Sequence, residues 1–97
     1  MRIINQPRLA DFALNHSDSV KSINKWAVTM INGQYKSSHD LLMDYPSADY
    51  VGNDRYVFDI KGNRYRIIAI VVFIGGIVDI RFVGTHAEYE KINAKTI

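Results

Sequence analysis

The stretch from Arg55 to Tyr89 most constrains the fold, because it consists of three runs of apolar and β-branched residues separated by two glycine turns. The dipeptides Gly62-Asn63 and Gly75-Gly76 are typical of two-residue hairpin loops, in which a leading glycine supplies a positive φ. The pattern therefore predicts an antiparallel meander of three strands.

Two-residue loops would fix which residues of the three strands lie opposite each other. The first loop places Asp59 opposite Arg66, and the second places Arg66 opposite Thr85 and Ile70 opposite Arg81. Because side chains alternate between the faces of a sheet, one face becomes almost entirely apolar. Its predicted residues are Tyr56, Phe58, Ile60, Tyr65, Ile67, Ala69, Val71, Phe73, Val78, Ile80 and Phe82. The other face is rich in arginine and carries Arg55, Asp59, Lys61, Arg64, Arg66, Asp79, Arg81 and Thr85.

The residues before the meander predict a short strand and two amphipathic helices that cover the apolar face. Arg2–Ile4 reads as the strand, and Asn5 as the cap of the first helix. Ser17 or Asp18 is expected to cap the second helix, whose apolar residues recur every three or four positions until Gly33.

Shorter elements complete the predicted chain. A short turn or helix directs Leu41–Met43 inward, and Ala48–Val51 forms an edge strand. Thr85 and Glu88 have the spacing of a capping box, which begins a short last helix, and Asn93–Ile97 is expected to be loose. We therefore predict one α+β domain over residues 1–97, with two N-terminal helices packed on a twisted antiparallel sheet and a short C-terminal helix.

Composition excludes several classes of site. The chain has no cysteine, so disulfides and thiolate sites are absent, and the longest apolar run, Ile67–Ile74, is too short to cross a bilayer. His16, His39 and His86 lack the spacing of metal ligands, and no nucleotide or cofactor motif is present. A cytoplasmic protein without metal, cofactor or membrane association is the expectation.

Arg66 and Arg81 are the first candidates for chemistry. On the predicted arginine face they lie about two residues apart along the strands, so that both guanidinium groups could hold one phosphate. The alternative is structural, with Arg66 paired to Asp59 and Arg81 paired to Asp79 or Asp59. Exposed ion pairs of that kind add little stability, which favours the phosphate interpretation.

His86 and Tyr89 are the second candidates, since their spacing places them on one side of the last helix. Histidine suits proton transfer near neutral pH, and tyrosine can exchange a proton or stack on a base. Packing or capping is the alternative for both side chains. Together with the arginines, the pair suggests phosphodiester cleavage without a metal, in which a base activates the 2′-hydroxyl and cations stabilise the phosphate.

The stretch from Val57 to Lys91 resembles the HigB branch of the RelE-like toxins of bacterial toxin–antitoxin systems. The matching motifs are Phe58-Asp59-Ile60, Gly62-Asn63, Tyr65-Arg66, Ile80-Arg81-Phe82 and Thr85-His86-Ala87-Glu88-Tyr89. The preceding helices, with Trp26, and the segment Ser47-Ala48-Asp49 also resemble the family. One departure is Asp59, where the family commonly has asparagine. An Asp59–Arg66 pair would lower the positive charge of the site.

The resemblance implies a toxin that acts as a ribosome-dependent mRNA endoribonuclease and inhibits translation. It also implies a cognate helix-turn-helix antitoxin of the HigA type, with operator DNA bound only through the toxin–antitoxin complex. Two alternatives remain: a translation inhibitor that binds the ribosome or RNA without cleaving it, and a degenerate toxin that serves only in complex with its antitoxin.

The resemblance also assigns roles to residues. Arg66 and Arg81 would grip the scissile phosphate, and His86 or Tyr89 would act as acid or base. The expected RNA contacts are Lys61, Asn63, Arg64 and Thr85.

Overall fold

The computed structural model, which describes all 97 residues, contains one sheet of five strands. In chain order they are β1 (Arg2–Ile4), β2 (Asp49–Gly52), β3 (Arg55–Ile60), β4 (Tyr65–Val72) and β5 (Ile77–Thr85). Their order in the sheet is β1-β5-β4-β3-β2. The strands β2 to β5 pair in antiparallel fashion as predicted, whereas β1 joins the edge of β5 in parallel.

Four α-helices and one short 3₁₀ helix accompany the sheet. They are α1 (Pro7–Asn15), the 3₁₀ turn Ser17–Ser19, α2 (Val20–Asn32), α3 (Ser38–Asp44) and α4 (His86–Tyr89). The predicted α+β class, with two N-terminal helices and a short C-terminal one, is confirmed. The edge strand lies within a residue of its predicted bounds.

The core lies between the first two helices and one face of the sheet. Trp26 of α2 packs edge-on against Phe58 of β3, with 5.3 Å between ring centroids, and both side chains are almost fully buried. Leu41 of α3 closes the core, but Met43 is 72% exposed, so its predicted inward orientation is wrong. Truncating a buried residue such as Phe58 to alanine would cost about 3–5 kcal/mol of stability.

Helix termini depart from the sequence prediction in α1 and α2. Asn5 has a positive φ of 63° and donates its side-chain amide to Asp79 instead of capping α1. Neither Ser17 nor Asp18 caps α2 through its side chain, because a 3₁₀ turn precedes the helix and frees Asp18 for other contacts. Gly33 does end α2, as predicted.

The first hairpin has the predicted register. Asp59 lies opposite Arg66 and Val57 opposite Ile68, and the turn between the strands is centred on Gly62-Asn63. Gly62 has a φ of 69°, which a residue without Cβ adopts readily.

The second hairpin has a different register from the predicted one. The amide of Gly76 donates to the carbonyl of Phe73, so the turn is centred one residue earlier, on Ile74-Gly75. Val72 consequently pairs with Ile77, and Ile70 pairs with Asp79 instead of Arg81. The shift is an even number of residues, so the division between the two faces survives it.

A bulge in β5 reverses, for the rest of that strand, which side chains point toward the core and which toward the open face. The pairing passes from Ala69 with Ile80 to Ile68 with Phe82, so that Arg81 is the extra residue. Phe82 therefore lies on the open face with Ile68, and its predicted place in the core is wrong. Thr85 lies opposite Tyr65 and not opposite Arg66, whose partner is Gly84.

Candidate active site

Arg66 and Tyr89 meet on the open face of the sheet. The guanidinium carbon of Arg66 lies 4.5 Å from the centroid of the Tyr89 ring, a cation–π arrangement. Arg66 is in the central strand β4, and Tyr89 is brought to it by α4. The capping box of that helix is formed as predicted, with the Thr85 hydroxyl accepting from the Glu88 amide and Glu88 accepting from the Thr85 amide.

The same exchange fixes the charge of Glu88. The hydrogen bond from the Thr85 backbone lowers the pKa of the Glu88 carboxyl, so the group stays ionised at the N-terminus of α4. Thr85, predicted as an RNA contact, therefore uses its hydroxyl within the protein. Its capping role determines where α4 begins, and so where Tyr89 lies.

The guanidinium group of Arg66 keeps its hydrogen-bonding capacity. Its Nε lies 3.2 Å from a carboxylate oxygen of Asp59, close enough for an ion pair but without the alignment of a hydrogen bond. No other side-chain hydrogen bond of Arg66 occurs within the protein, and its Nε is buried. Because this Nε is buried, the donors of Arg66 that a ligand could reach are its Nη groups, which make no hydrogen bond within the protein. The expected Asp59–Arg66 pair is thus present as an ion pair at Nε, and it leaves the Nη groups free.

Phe82 and Gly84 lie across from this arginine. A Cβ on Gly84 would come within 2.5 Å of the Phe82 ring, so the ring covers the glycine closely. Sequence reasoning missed Phe82 as a neighbour of the site, because the bulge that turns it outward carries no clear sequence signal. An aromatic ring on an open face offers a surface on which an RNA base can stack.

Arg81 lies further along the open face, near the middle of β5. It contacts Asp79 at 3.4 Å, as one alternative anticipated, and its Nε lies 3.4 Å from the main-chain oxygen of Ile97. Arg81, the extra residue of the bulge, lies between the partners of Ile68 and Ala69, two to three residues from Arg66 along β4. This is close to the predicted separation of about two residues, although no hydrogen bond joins the two arginines.

His86 faces a different part of the molecule from Tyr89. Its Nε2 lies 3.0 Å from a carboxylate oxygen of Glu90, one turn later. It lines a shallow groove together with Asn63, Arg64, Thr85 and His16. His86 is therefore near the arginine face at Arg64, whose main-chain oxygen accepts from the His86 amide, but it makes no hydrogen bond or ion pair with Arg66 or Arg81. Three of the four predicted RNA contacts lie beside it.

His16 reaches that groove from the end of α1. Its ring stacks on Phe12 with 4.0 Å between centroids, and its Nδ1 lies 3.2 Å from the Phe12 carbonyl. Sequence reasoning set this histidine aside, because only the tertiary fold brings the end of α1 to the β3–β4 hairpin.

Asp18 contacts residues at the turn of that hairpin. It accepts hydrogen bonds from the Tyr65 hydroxyl at 2.6 Å, from Arg64 at 3.0 Å and from Lys61 at 3.2 Å. The Tyr65 hydroxyl above all, and then the two cations, lower the pKa of the Asp18 carboxyl to about 2. Lys61 and Arg64 are therefore partly neutralised, with one carboxylate between two cations, and their positions are defined by it.

Two further observations concern metal binding and membrane-spanning helices. No three histidine, aspartate or glutamate side chains converge in a way that could hold a metal ion. None of the helices has both the length and the apolar character that crossing a bilayer requires.

Comparison with known proteins gives a consistent result over almost the whole chain. The model of the HigB toxin family, described as the RelE-like toxic component of a toxin–antitoxin system, matches residues 19–92. The chain is 32% identical to the mRNA interferase toxin HigB of Escherichia coli strain K12, in an alignment covering 97% of this chain and 92% of that protein. The mRNA interferase HigB of Shigella flexneri has the same identity and coverage. A relative of the same name from E. coli O6:H1 is 22% identical, over 95% of this chain and 91% of its own length.

Proposed function

Since the chain belongs to the HigB family of RelE-like toxins, the toxic components of toxin–antitoxin systems, we propose that it is an mRNA interferase. In this proposal the protein is an endoribonuclease that cleaves mRNA on the ribosome and so inhibits translation. Relatives that carry that name align over nearly the full chain, which supports the assignment. One domain, residues 1–97, carries the activity.

The observation that carries the proposal is the arginine held against Tyr89 with its N–H groups unused. A guanidinium fork matches two oxygens of a phosphate, and the Tyr89 ring holds it in place before the RNA arrives. Such pre-positioned donors stabilise the charge that develops on a pentacovalent phosphate. Arg66 would thus supply electrostatic stabilisation that other nucleases obtain from a metal ion.

Proton transfer is assigned to Tyr89 or His86. A base removes the proton of the 2′-hydroxyl, whose oxygen attacks the adjacent phosphorus, and an acid protonates the departing 5′-oxygen. The products are a 2′,3′-cyclic phosphate and a free 5′-hydroxyl. The contact of Tyr89 with Arg66 supports Tyr89 as the group nearer the phosphate, and His86 would act from the adjoining groove.

The remaining residues would bind RNA around the scissile bond. Arg81 would hold backbone phosphate on the open face. The hairpin residues Lys61, Asn63 and Arg64, with Thr85 beside them, would contact mRNA or ribosomal RNA at the groove. Asp18 would set the positions of the two hairpin cations.

The partner belongs to the same proposal. A toxin of this kind requires an antitoxin, here proposed to be a HigA-like helix-turn-helix protein encoded beside it, with operator DNA contacted only through the complex. The substrate, mRNA under translation, places the toxin in the cytoplasm.

The decisive experiment is inducible expression followed by primer extension on two transcripts that differ only in the start codon. We expect new 5′ ends within the coding region of the translated transcript, and none on the transcript that cannot be translated. Expression of Arg66→Ala at the same level is the matched control. Growth arrest with intact transcripts would instead identify a non-catalytic inhibitor, and absence of any growth effect would identify a degenerate toxin.

A further inference from the structure

Two arginines from different strands converge on a single main-chain oxygen above the open face. Arg55 of β3 donates to the main-chain oxygen of Ile97 from Nε at 3.0 Å and from Nη2 at 2.7 Å. Arg81 of β5 approaches the same oxygen with its Nε at 3.4 Å. The strand between them, β4, presents only aliphatic side chains at this level, among them Ile68 and Ile70.

The segment that supplies this oxygen, Asn93–Ile97, lies across the sheet instead of being loose as the sequence suggested. Asn53, in the turn between β2 and β3, holds it with a 2.9 Å hydrogen bond from its side-chain amide to the carbonyl of Lys95. The side chain of Asn93 accepts from the Lys95 amide and shapes the turn. The hydrogen bonds of this segment are exposed or partly exposed, as are Asn93, Lys95 and Thr96, and such bonds mark segments that open locally.

Arg55 and Arg81 carry two positive charges, and Asp79 is the one carboxylate that contacts either of them. Asp79 is also engaged by the side chain of Asn5. Two guanidinium groups directed at one oxygen form the donor arrangement that an anionic oxygen, such as one of a phosphate, accepts.

We infer that Arg55 and Arg81 form a phosphate subsite for the RNA backbone, which Asn93–Ile97 occupies in the free protein and vacates when RNA binds. The identity of the ligand as RNA rests on the function proposed above. The subsite adds Arg55 to the residues that recognise RNA, and it separates Arg81 from the scissile phosphate at Arg66.

The position of the subsite supports a phosphate different from the one that is cleaved. Arg55 pairs with Ile70, four residues along β4 from Arg66, which is about 13 Å. The contacts of Arg55 and Arg81 are directed toward Ile97, whereas those of Arg66 are directed toward Tyr89 and Asp59. A strand of RNA lying along β4 would reach both places, with the Phe82 ring between them.

The test uses the full-length toxin and a single-stranded RNA decamer whose 2′-hydroxyls are methylated, so that binding is measured without cleavage. Fluorescence anisotropy at several salt concentrations gives the slope of log K against log salt. We expect Arg55→Gln to reduce the magnitude of that slope by about 0.7, the loss of one phosphate contact on a single strand. Arg2→Gln, which removes the same charge from an exposed position without side-chain partners, leaves the slope unchanged.

A separate test weakens the hydrogen bond that holds the segment Asn93–Ile97 on the sheet. Asn53 has a φ of 51°, so Asn53→Gly suits the backbone while it removes the amide that holds Lys95. Because competition from the segment is then weaker, we expect the decamer to bind about two- to fivefold more tightly with an unchanged salt slope. In the NMR spectrum of the wild-type protein, addition of the decamer should move the Ile97 amide toward its unfolded-chain position and shift the Nε resonances of Arg55 and Arg81.

Equal salt slopes for Arg55→Gln and Arg2→Gln, or an Ile97 amide that does not respond to saturating RNA, would overturn the inference. The NMR measurement needs no variant, so a folding defect in Arg55→Gln cannot hide the answer. Failure of the proposed nuclease function would be seen independently, as intact transcripts in the primer-extension experiment. The decamer would still displace the segment in that case, because its binding does not depend on cleavage.

Discussion

Arg66 rests on the ring of Tyr89, with 4.5 Å between the guanidinium carbon and the ring centroid. This relationship joins the central strand of the sheet to the last helix. An arginine held in this way loses less conformational freedom when it binds phosphate, because its orientation is already set.

Replacing Arg66 by alanine should lower cleavage of mRNA on the ribosome about 10²–10³-fold, the usual effect of losing one donor to a transition-state oxyanion. Arg66→Lys should recover only part of the activity, because an ammonium group cannot present two parallel N–H donors. Single-turnover cleavage of a programmed ribosome measures both. Cleavage by Arg66→Ala within threefold of the wild-type rate, for a protein with an unchanged thermal melt, would move the site elsewhere.

Two substitutions of Tyr89 distinguish a chemical role of its hydroxyl from a positional role of its ring. Tyr89→Phe keeps a ring beneath Arg66 and removes only the hydroxyl, so a drop of about 10²-fold or more is expected if that hydroxyl transfers a proton. Tyr89→Ala should be worse still, because the arginine loses its support. The pH dependence of the single-turnover rate is the second readout. Wild-type activity in Tyr89→Phe with a changed pH profile in His86→Ala would assign the proton transfer to His86.

Asp59 is expected to restrain RNA binding at Arg66. Asp59→Asn removes the negative charge that lies 3.2 Å from Nε, and it should tighten binding of the methylated decamer about two- to fivefold. The free energy of unfolding should change by less than about 1 kcal/mol, since the pair is partly exposed. Asp49→Asn, an exposed change on the edge strand β2, is the control for net charge. Equal affinities for the two variants would show that Asp59 does not attenuate the site.

Asp18 should contribute stability that depends on pH. Hydrogen bonds from Tyr65 and the hairpin cations lower its pKa from 3.8 to about 2, so its contribution is fully present above pH 4 and is lost as the pH falls toward 2. Asp18→Asn should therefore be less stable than wild type at pH 7, and the difference should shrink between pH 4 and pH 2. Urea unfolding at four pH values measures this. A difference that stayed constant down to pH 2 would contradict the assignment.

The first hairpin was predictable because its turn signal and its strand pattern agree. Gly62-Asn63 lies at the centre of the turn. In each strand a charged residue, Asp59 or Arg66, is flanked by buried residues, and only one register places these charged residues opposite each other. The second hairpin contains consecutive glycines after a long apolar strand, and both Gly75 and Gly76 take positive φ. That pair is compatible with turns at adjacent positions, so the sequence pattern alone does not select the observed one.

The arrangement of the candidate residues was less predictable than the fold. Arg66 and Tyr89 were identified and do meet, but the distance between Arg66 and Arg81 and the orientation of His86 depend on the bulge and on the start of α4. The contact of Asp18 with the hairpin spans more than forty residues of chain, and local patterns carry no information about it. The contact of Ile97 with Arg55 escaped prediction for the same reason.

The extra residue in β5 also determines how this strand should be compared with its relatives. Up to Ile80 the side chains of β5 alternate between the core and the open face in register with those of β1. From Phe82 onward the inward and outward positions are exchanged. A relative without the extra residue would align correctly only with a one-position gap at Arg81. If the gap were omitted, the rest of the relative's strand would be shifted by one position, and its equivalent of inward-facing Val83 would be aligned with outward-facing Phe82. Alignments of this family are therefore best anchored separately on the two halves of the strand.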